Sequence, residues 1–158
     1  MINLLPRHYK SIPANHGSIF FDEKNFYDAF ASDINGAESS VIIESPYLTE
    51  RRAQQFAKLI QRKTKANIKV KIFTRNPYHH DDILRQQSLI ACRILKNAGA
   101  RIFLCDDMRH RKIAIIDEMV LWEGSLNILS QSNSAELMRR TPCSEQARHV
   151  MKLLKLKG

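Results

Sequence analysis

Between Asp22 and Leu104 the chain alternates helix-like and strand-like segments three times, and this order restricts the folds open to it. Phe26, Ala29, Phe30, Ile34 and Ala37 recur at helical spacing, which predicts a helix capped by Asp22 and running to about Asn35. Ser40 to Glu44 reads as a buried strand closed by Ser45-Pro46. Glu50 to Lys65 is a second helix, with Ala53, Phe56, Ala57 and Ile60 on one face. Ile68 to Thr74 reads as the next strand. A third helix begins at Asp81 or Asp82, with Ile83, Leu84, Ile90, Ala91, Ile94 and Leu95 as its core. Gly99 ends it, and Arg101 to Leu104 is a further strand. Successive right-handed crossovers of this kind predict an α/β fold with a mixed, largely parallel sheet flanked by helices.

The remainder changes character. Lys112 to Ile116 and Met119 to Glu123, split by Asp117-Glu118, read as a hairpin. Glu136 to Arg140 is the last strand, and Pro142 is expected as the first residue of a closing helix with Ala147, Val150, Met151 and Leu154 inward. Residues 1–17 show no periodicity and carry Pro6, Pro13 and Gly17, so they read as an irregular arm before one domain over residues 18–158. Length and a 44% hydrophobic content suit a single soluble domain.

Charge narrows the partners. Residues 1–50 hold 3 Lys/Arg against 7 Asp/Glu, whereas residues 51–158 hold 22 against 9. The excess of +13 in the second part points to a polyanion, with nucleic acid first and an anionic membrane second. Arg51, Lys58, Arg62 and Lys65 line one face of the second helix as a basic ridge, which is either a phosphate track or a solvated surface. No apolar run approaches the roughly 20 residues that span a bilayer, and Pro6 and Arg7 interrupt the region where an export signal would be apolar. Cys92, Cys105 and Cys143 form no CxxC pair, so a reducing, cytoplasmic setting is expected.

The chemistry concentrates in residues 110–136. His110 and Lys112, two apart at the start of a strand, aim the same way, while Ile113 and Ile115 aim oppositely and pack. A histidine and a lysine converging on one spot suit an anion such as phosphate. The lysine would stabilise developing charge, and the imidazole, titrating near neutrality, is the better nucleophile. Gly124 permits a tight turn, and Ser125 and Asn127 supply neutral donors for phosphate oxygens. A nucleophilic histidine needs an acceptor on its second nitrogen, and Glu136 is the candidate. His79, His80, Asp81 and Asp82 form only a weak metal-ligand cluster, and Asp106 and Asp107 read as loop or cap residues.

Taken together, His110, Lys112, Asp117, Gly124, Ser125 and Asn127 reproduce HxK(x)4D(x)6GSxN, and the chain resembles the phospholipase D superfamily over roughly residues 18–156. Its size is similar to small bacterial endonucleases and to nuclease domains attached to helicases or restriction systems. The resemblance implies that His110 forms a phosphohistidine, Lys112 and Asn127 bind phosphate with Ser125 assisting, and Glu136 orients His110. It implies that Asp117 is structural and that no metal or other cofactor is needed.

One motif supplies one reactive histidine, whereas the lipid-cleaving members carry two copies in one chain. Double displacement needs a second group, so a homodimer is expected to bring a second His110 across a two-fold axis. A heteromeric partner or a longer chain would serve equally. The basic excess favours DNA, with RNA open, over lipid, and Arg109 and Arg111 are added to the ridge as backbone contacts. The competing readings are a non-catalytic nucleic-acid-binding domain that keeps the motif as a phosphate clamp, and a phospholipase or phosphatidyltransferase.

Overall fold

The computed structural model describes residues 17–130 and 133–156. The element order is β1 (Ile19–Asp22), α1 (Phe26–Gly36), β2 (Ser40–Glu44), α2 (Glu50–Lys65), β3 (Lys69–Arg75), α3 (Asp82–Asn97), β4 (Arg101–Cys105), β5 (Ile113–Ile116), β6 (Val120–Gly124), β7 (Leu137–Pro142) and α4 (Ser144–Leu153), with a 3₁₀ turn at Pro77–His79. The strands form one mixed sheet in the order β1-β7-β6-β5-β2-β3-β4.

The α/β class and the flanking helices agree with the sequence expectation. Parallel pairing, however, is confined to β2–β3 and β3–β4, while β2–β5, β5–β6, β6–β7 and β7–β1 are antiparallel. The sheet is thus mixed without being largely parallel. After β4 the chain stops making helical crossovers and returns by the hairpin turn at Asp117.

Alternation across the strands builds two cores. Val41, Ile43, Val70, Ile72, Ala114, Ile116 and Trp122 face α1, α2 and α3. Ile42, Phe73, Ile113, Ile115 and Leu121 face the opposite way, against Ala147 and Met151 of α4 and against Leu156. Trp122 is fully buried in the first core as expected, and its indole N–H donates to Asp33 at 2.7 Å.

Three sequence expectations are corrected. Asp22 ends a strand rather than capping a helix: it pairs with Leu137 across β1–β7 and accepts from the backbone of Lys24 and Asn25 in the turn before α1. Pro142 closes β7, and α4 starts at Ser144. The buried stripe of α3 is Ser88, Ala91, Cys92 and Leu95, whereas Ile83 is 80% exposed. The start and end of α3 do follow the sequence. Asp81 accepts from Leu84 N at 2.9 Å, and Gly99 adopts φ 93° against Thr64, where a Cβ would come within 2.5 Å of the hydroxyl. The sequence-defined arm lies, except for Gly17, outside the described residues.

Candidate active site

The ladder registers determine where the motif gathers. Glu44 pairs with Ile113, Ile113 with Glu123, Gly124 with Met138, and Asp22 with Leu137. The ends of β1, β2 and β6 and the starts of β5 and β7 therefore share one edge of the sheet. His110 and Lys112 enter the fourth of seven strands there, Ser125 and Asn127 leave the third, and Glu136 precedes the second. Asp117 lies at the opposite edge.

His110 is exposed, and Lys112 is 8% exposed. Lys112 Nζ lies 2.7 Å from His110 Nδ1 and donates to the His110 carbonyl at 2.8 Å. The pair needs no anion between them to coexist, because the imidazole accepts. The nearby ammonium, then burial, then Arg75 hold the His110 imidazole below its ordinary pKa. Burial and Arg75 also lower Lys112, while Glu136 opposes them.

Ser125 donates its hydroxyl to Glu136 Oε2 by a short hydrogen bond and accepts from Leu137 N at 3.1 Å. Ser134 donates to Glu136 Oε1 at 2.8 Å, and the Glu136 amide is held by Glu23 at 3.0 Å. Glu136, expected on His110, makes no hydrogen bond to it among the described residues. Instead, it ties the start of β7 to the GSxN turn. Gly124 is required by crowding: a Cβ there would lie 2.1 Å from the Leu137 carbonyl. Asn127 contributes a buried Oδ1 with no hydrogen-bond partner among the described residues.

Asp117 is an anchor remote from the site. It accepts from Ser39 N at 2.8 Å, Ser40 N at 2.9 Å, Glu38 N at 2.9 Å and Ser39 Oγ at 2.9 Å. Burial pushes its pKa up, but these donors together hold it below the ordinary value.

Beneath the motif lies a polar floor that sequence reasoning missed. Glu44, wholly buried at the end of β2, receives Arg111 Nε at 3.0 Å and sits 3.5 Å from Arg109 Nη1. Arg109 also forms a two-pronged pair with Asp107 at 2.6 and 2.8 Å. Both arginines expected as phosphate contacts are thus engaged within the chain. Ser45 Oγ accepts from Leu129 N at 3.1 Å, and Thr49 N donates to Leu129 O at 3.0 Å, which ties the GSxN loop to the entry of α2. The only sequence signal was a charged or polar residue ending an apolar strand.

The basic ridge is exposed along α2, but it does not gather at the site. Arg51 lies in the first turn of α2, just after Thr49, whose N–H donates to Leu129 O. Lys65 lies about 21 Å farther along the helix, at 1.5 Å per residue. Lys63, near that far end, donates to Ala37 O, close to the Asp117 anchor. The residues weighed as metal ligands separate as well: Asp81 caps α3, Asp82 pairs with Arg85, His79 faces Asp106, and His80 packs on Tyr47. Among the described residues, no group of three potential metal ligands forms. A groove of about 400 Å³ opens beside Lys112, lined in part by Phe20, Arg111, Glu123, Leu137 and Arg139.

Comparison with known proteins matches the family and the fold. The family profile described as "Cardiolipin synthase, PLD-like domain" matches residues 30–153, and the chain belongs to this phospholipase D-like family. Its fold is shared with NucT from Helicobacter pylori at TM-score 0.70 and 22% identity, covering 87% of this chain and 92% of that one. Nuc from Salmonella typhimurium, a phospholipase D family member, matches at TM-score 0.71 and 17% identity, covering 87% and 91%. TrmBL2, an archaeal chromatin protein, matches at TM-score 0.59 and 12% identity over 87% of this chain and 50% of its own. No curated protein matches the sequence. Family and motif together define an enzyme of the phosphodiesterase type, and among the described residues no helix is long and apolar enough to cross a membrane.

Proposed function

We propose that this protein is a metal-independent endonuclease that cleaves DNA, with RNA as the alternative polymer, through a covalent phosphohistidine on His110. The observation that carries this reading is the convergence of His110, Lys112, Ser125, Asn127 and Glu136 on one sheet edge, beside a groove that can take a substituent of a phosphodiester.

The chemistry follows from the local charges. While Lys112 Nζ points at Nδ1, the imidazole proton resides on Nε2, and that nitrogen cannot attack. An arriving phosphate draws the ammonium onto a non-bridging oxygen. Nδ1 is then free to carry the proton and Nε2 to attack phosphorus. The P–N bond forms as the P–O bond to the leaving group breaks. Lys112 offsets the charge on the equatorial oxygens, and the Asn127 amide N–H groups donate hydrogen bonds to them. Glu136 contributes through its charge on Lys112 and by holding Ser125.

The leaving oxygen needs a proton, and in the second step water must lose one while the P–N bond breaks. Within one chain, no second imidazole touches His110 among the described residues. A homodimer would supply the partner subunit's His110 as acid and then as base. The strong basic bias after residue 50 supports a polyanionic substrate. The test is cleavage in EDTA of single- and double-stranded DNA and RNA, alongside anionic vesicles. Turnover of lipid alone would replace this reading by the phospholipase one.

A second reading has its own support. TrmBL2 is described as having a novel mode of DNA binding, and a phosphate-clamp function would use the same edge. It predicts salt-sensitive binding without turnover. A cytoplasmic setting and association with a helicase or restriction system are proposed together with the nuclease reading.

A further inference from the structure

We propose that Arg75 is the positioning residue for His110: its guanidinium fixes the backbone just before the imidazole and, with Tyr47, forms the surface against which the ring rests. The inference builds on the nuclease reading above, which gives His110 its task. It also concerns a residue outside the motif.

Arg75 ends β3, on the same face of the strand as Phe73, and is only 8% exposed. No carboxylate pairs with it among the described residues. Its Nη2 donates instead to the Arg109 carbonyl at 2.9 Å and, more distantly, to that of Met108 at 3.5 Å. Its Cζ lies 5.3 Å from the centre of the Tyr47 ring, which meets His110 edge-on at 6.0 Å and His80 at 5.3 Å. Arg75 Nε is buried with no hydrogen-bond partner among the described residues. Burying a guanidinium so incompletely satisfied is unfavourable, and a chain needing only to fill this space would do better with an apolar side chain.

The segment it grips is held by side chains and not by backbone pairing. Residues 106–111 belong to no helix or strand. Outside those elements, no backbone–backbone hydrogen bond among the described residues reaches them. Side chains do the holding: Asn76 on Asp106 at 2.7 Å, Asp107 on Arg109, Glu44 on Arg111, Lys112 on the His110 carbonyl, and Arg75 on the Arg109 carbonyl. Of these, only Arg75 holds the peptide immediately before the nucleophile from a neighbouring strand. A displacement of about 1 Å at a nucleophile can cost roughly 100-fold in rate.

Arg75 also acts on His110 through charge. Lys112 from its own segment has the largest influence, followed by burial and then Arg75. Tyr47 packs on the ring, Glu136 bears on Lys112, and Arg109 and Arg111 are balanced by Asp107 and Glu44. A fixed cation beneath the site therefore favours the neutral, nucleophilic imidazole.

The test compares native protein with Arg75→Lys and Arg75→Met. It measures kcat and KM on bis-p-nitrophenyl phosphate and the titration of the His110 imidazole by NMR. In Arg75→Met, kcat should fall about 10- to 100-fold with KM little changed, and the His110 midpoint should move to higher pH. Arg75→Lys keeps the charge but loses the fork, so its midpoint should stay near the native one while kcat remains depressed.

Native kcat and midpoint in a folded Arg75→Met would overturn the proposal. Full recovery of kcat in Arg75→Lys would overturn it too, by reducing Arg75 to a charge. If Arg75→Met does not fold, the kcat of Arg75→Lys at unchanged melting temperature decides between the same outcomes. If native protein cleaves no diester, the nuclease reading fails. The NMR comparison then still decides for Arg75: unchanged His110 resonances and midpoint in the variants overturn the positioning claim.

Discussion

Lys112 and His110 touch directly, Nζ to Nδ1 at 2.7 Å. Two like charges would not hold this distance, so the contact requires a neutral imidazole. Lys112, with burial and Arg75, pulls the His110 pKa below its usual value. The neutral nucleophile therefore persists to lower pH than in an unperturbed histidine. The acidic limb of kcat/KM for a small diester should accordingly lie under about pH 6.5, the unperturbed value. Lys112→Met should move the imidazole titration measured by NMR to higher pH. A limb above that range, or an unmoved titration, would contradict the contact.

Asp117 should matter for stability and not for turnover. It receives four hydrogen bonds at the sheet edge away from His110. Asp117→Ala should cost about 2–4 kcal/mol, given the strength of bonds to a charged acceptor. Its folded pKa is lowered, so the stabilisation is present above the unfolded carboxylate range and fades as pH falls through the lower folded value. Urea melts at neutral and acid pH should show native protein and Asp117→Ala converging in acid. Activity per folded molecule should be unchanged.

Ser125 and Glu136 form one unit, because the hydroxyl proton of Ser125 is committed to the Glu136 carboxylate. Removing either should disturb the same turn. In a double-mutant cycle, Ser125→Ala and Glu136→Gln should each lower kcat, and the pair should be non-additive by about 1 kcal/mol or more. Strict additivity would show that the two act independently.

Position along α2 should sort the basic ridge. Arg51→Ala should weaken binding of a short oligonucleotide and reduce the salt slope by about 0.7–0.9 for each phosphate that is no longer neutralised. Lys65→Ala, about 21 Å away along the helix, should leave the same oligonucleotide unaffected. Equal effects of both substitutions would mean that nucleic acid runs the length of the helix.

The legibility of this fold in the sequence was uneven for physical reasons. α2 runs Glu50–Lys65 as its pattern required, because sixteen residues of consistent amphipathicity leave little ambiguity. β1 was invisible, since four residues cannot show a period and Asp22 stands where an N-cap would. Its strand exists only through pairing with β7, more than a hundred residues later. The motif side chains were legible because their chemistry is tied to fixed spacing. Glu44 and Arg75 were not, because each merely ends an apolar run, and only the adjacency of β2, β3 and β5 brings them under the 106–112 segment. Glu136, expected beside His110, hydrogen-bonds Ser125 and Ser134 instead. Sequence distance placed it at the edge but could not tell Ser125 from His110.

The central claim is that His110 carries the phosphoryl group without a metal. Its most direct test is to mix the protein with an oligonucleotide labelled with ³²P at the scissile phosphate in EDTA, quench within the first turnover, and map the label. The account predicts an acid-labile phosphate on His110 that is absent from His110→Asn, with cleavage lost in the same variant. Cleavage that persists in His110→Asn, or that vanishes on chelation and returns with Mg²⁺, would contradict it.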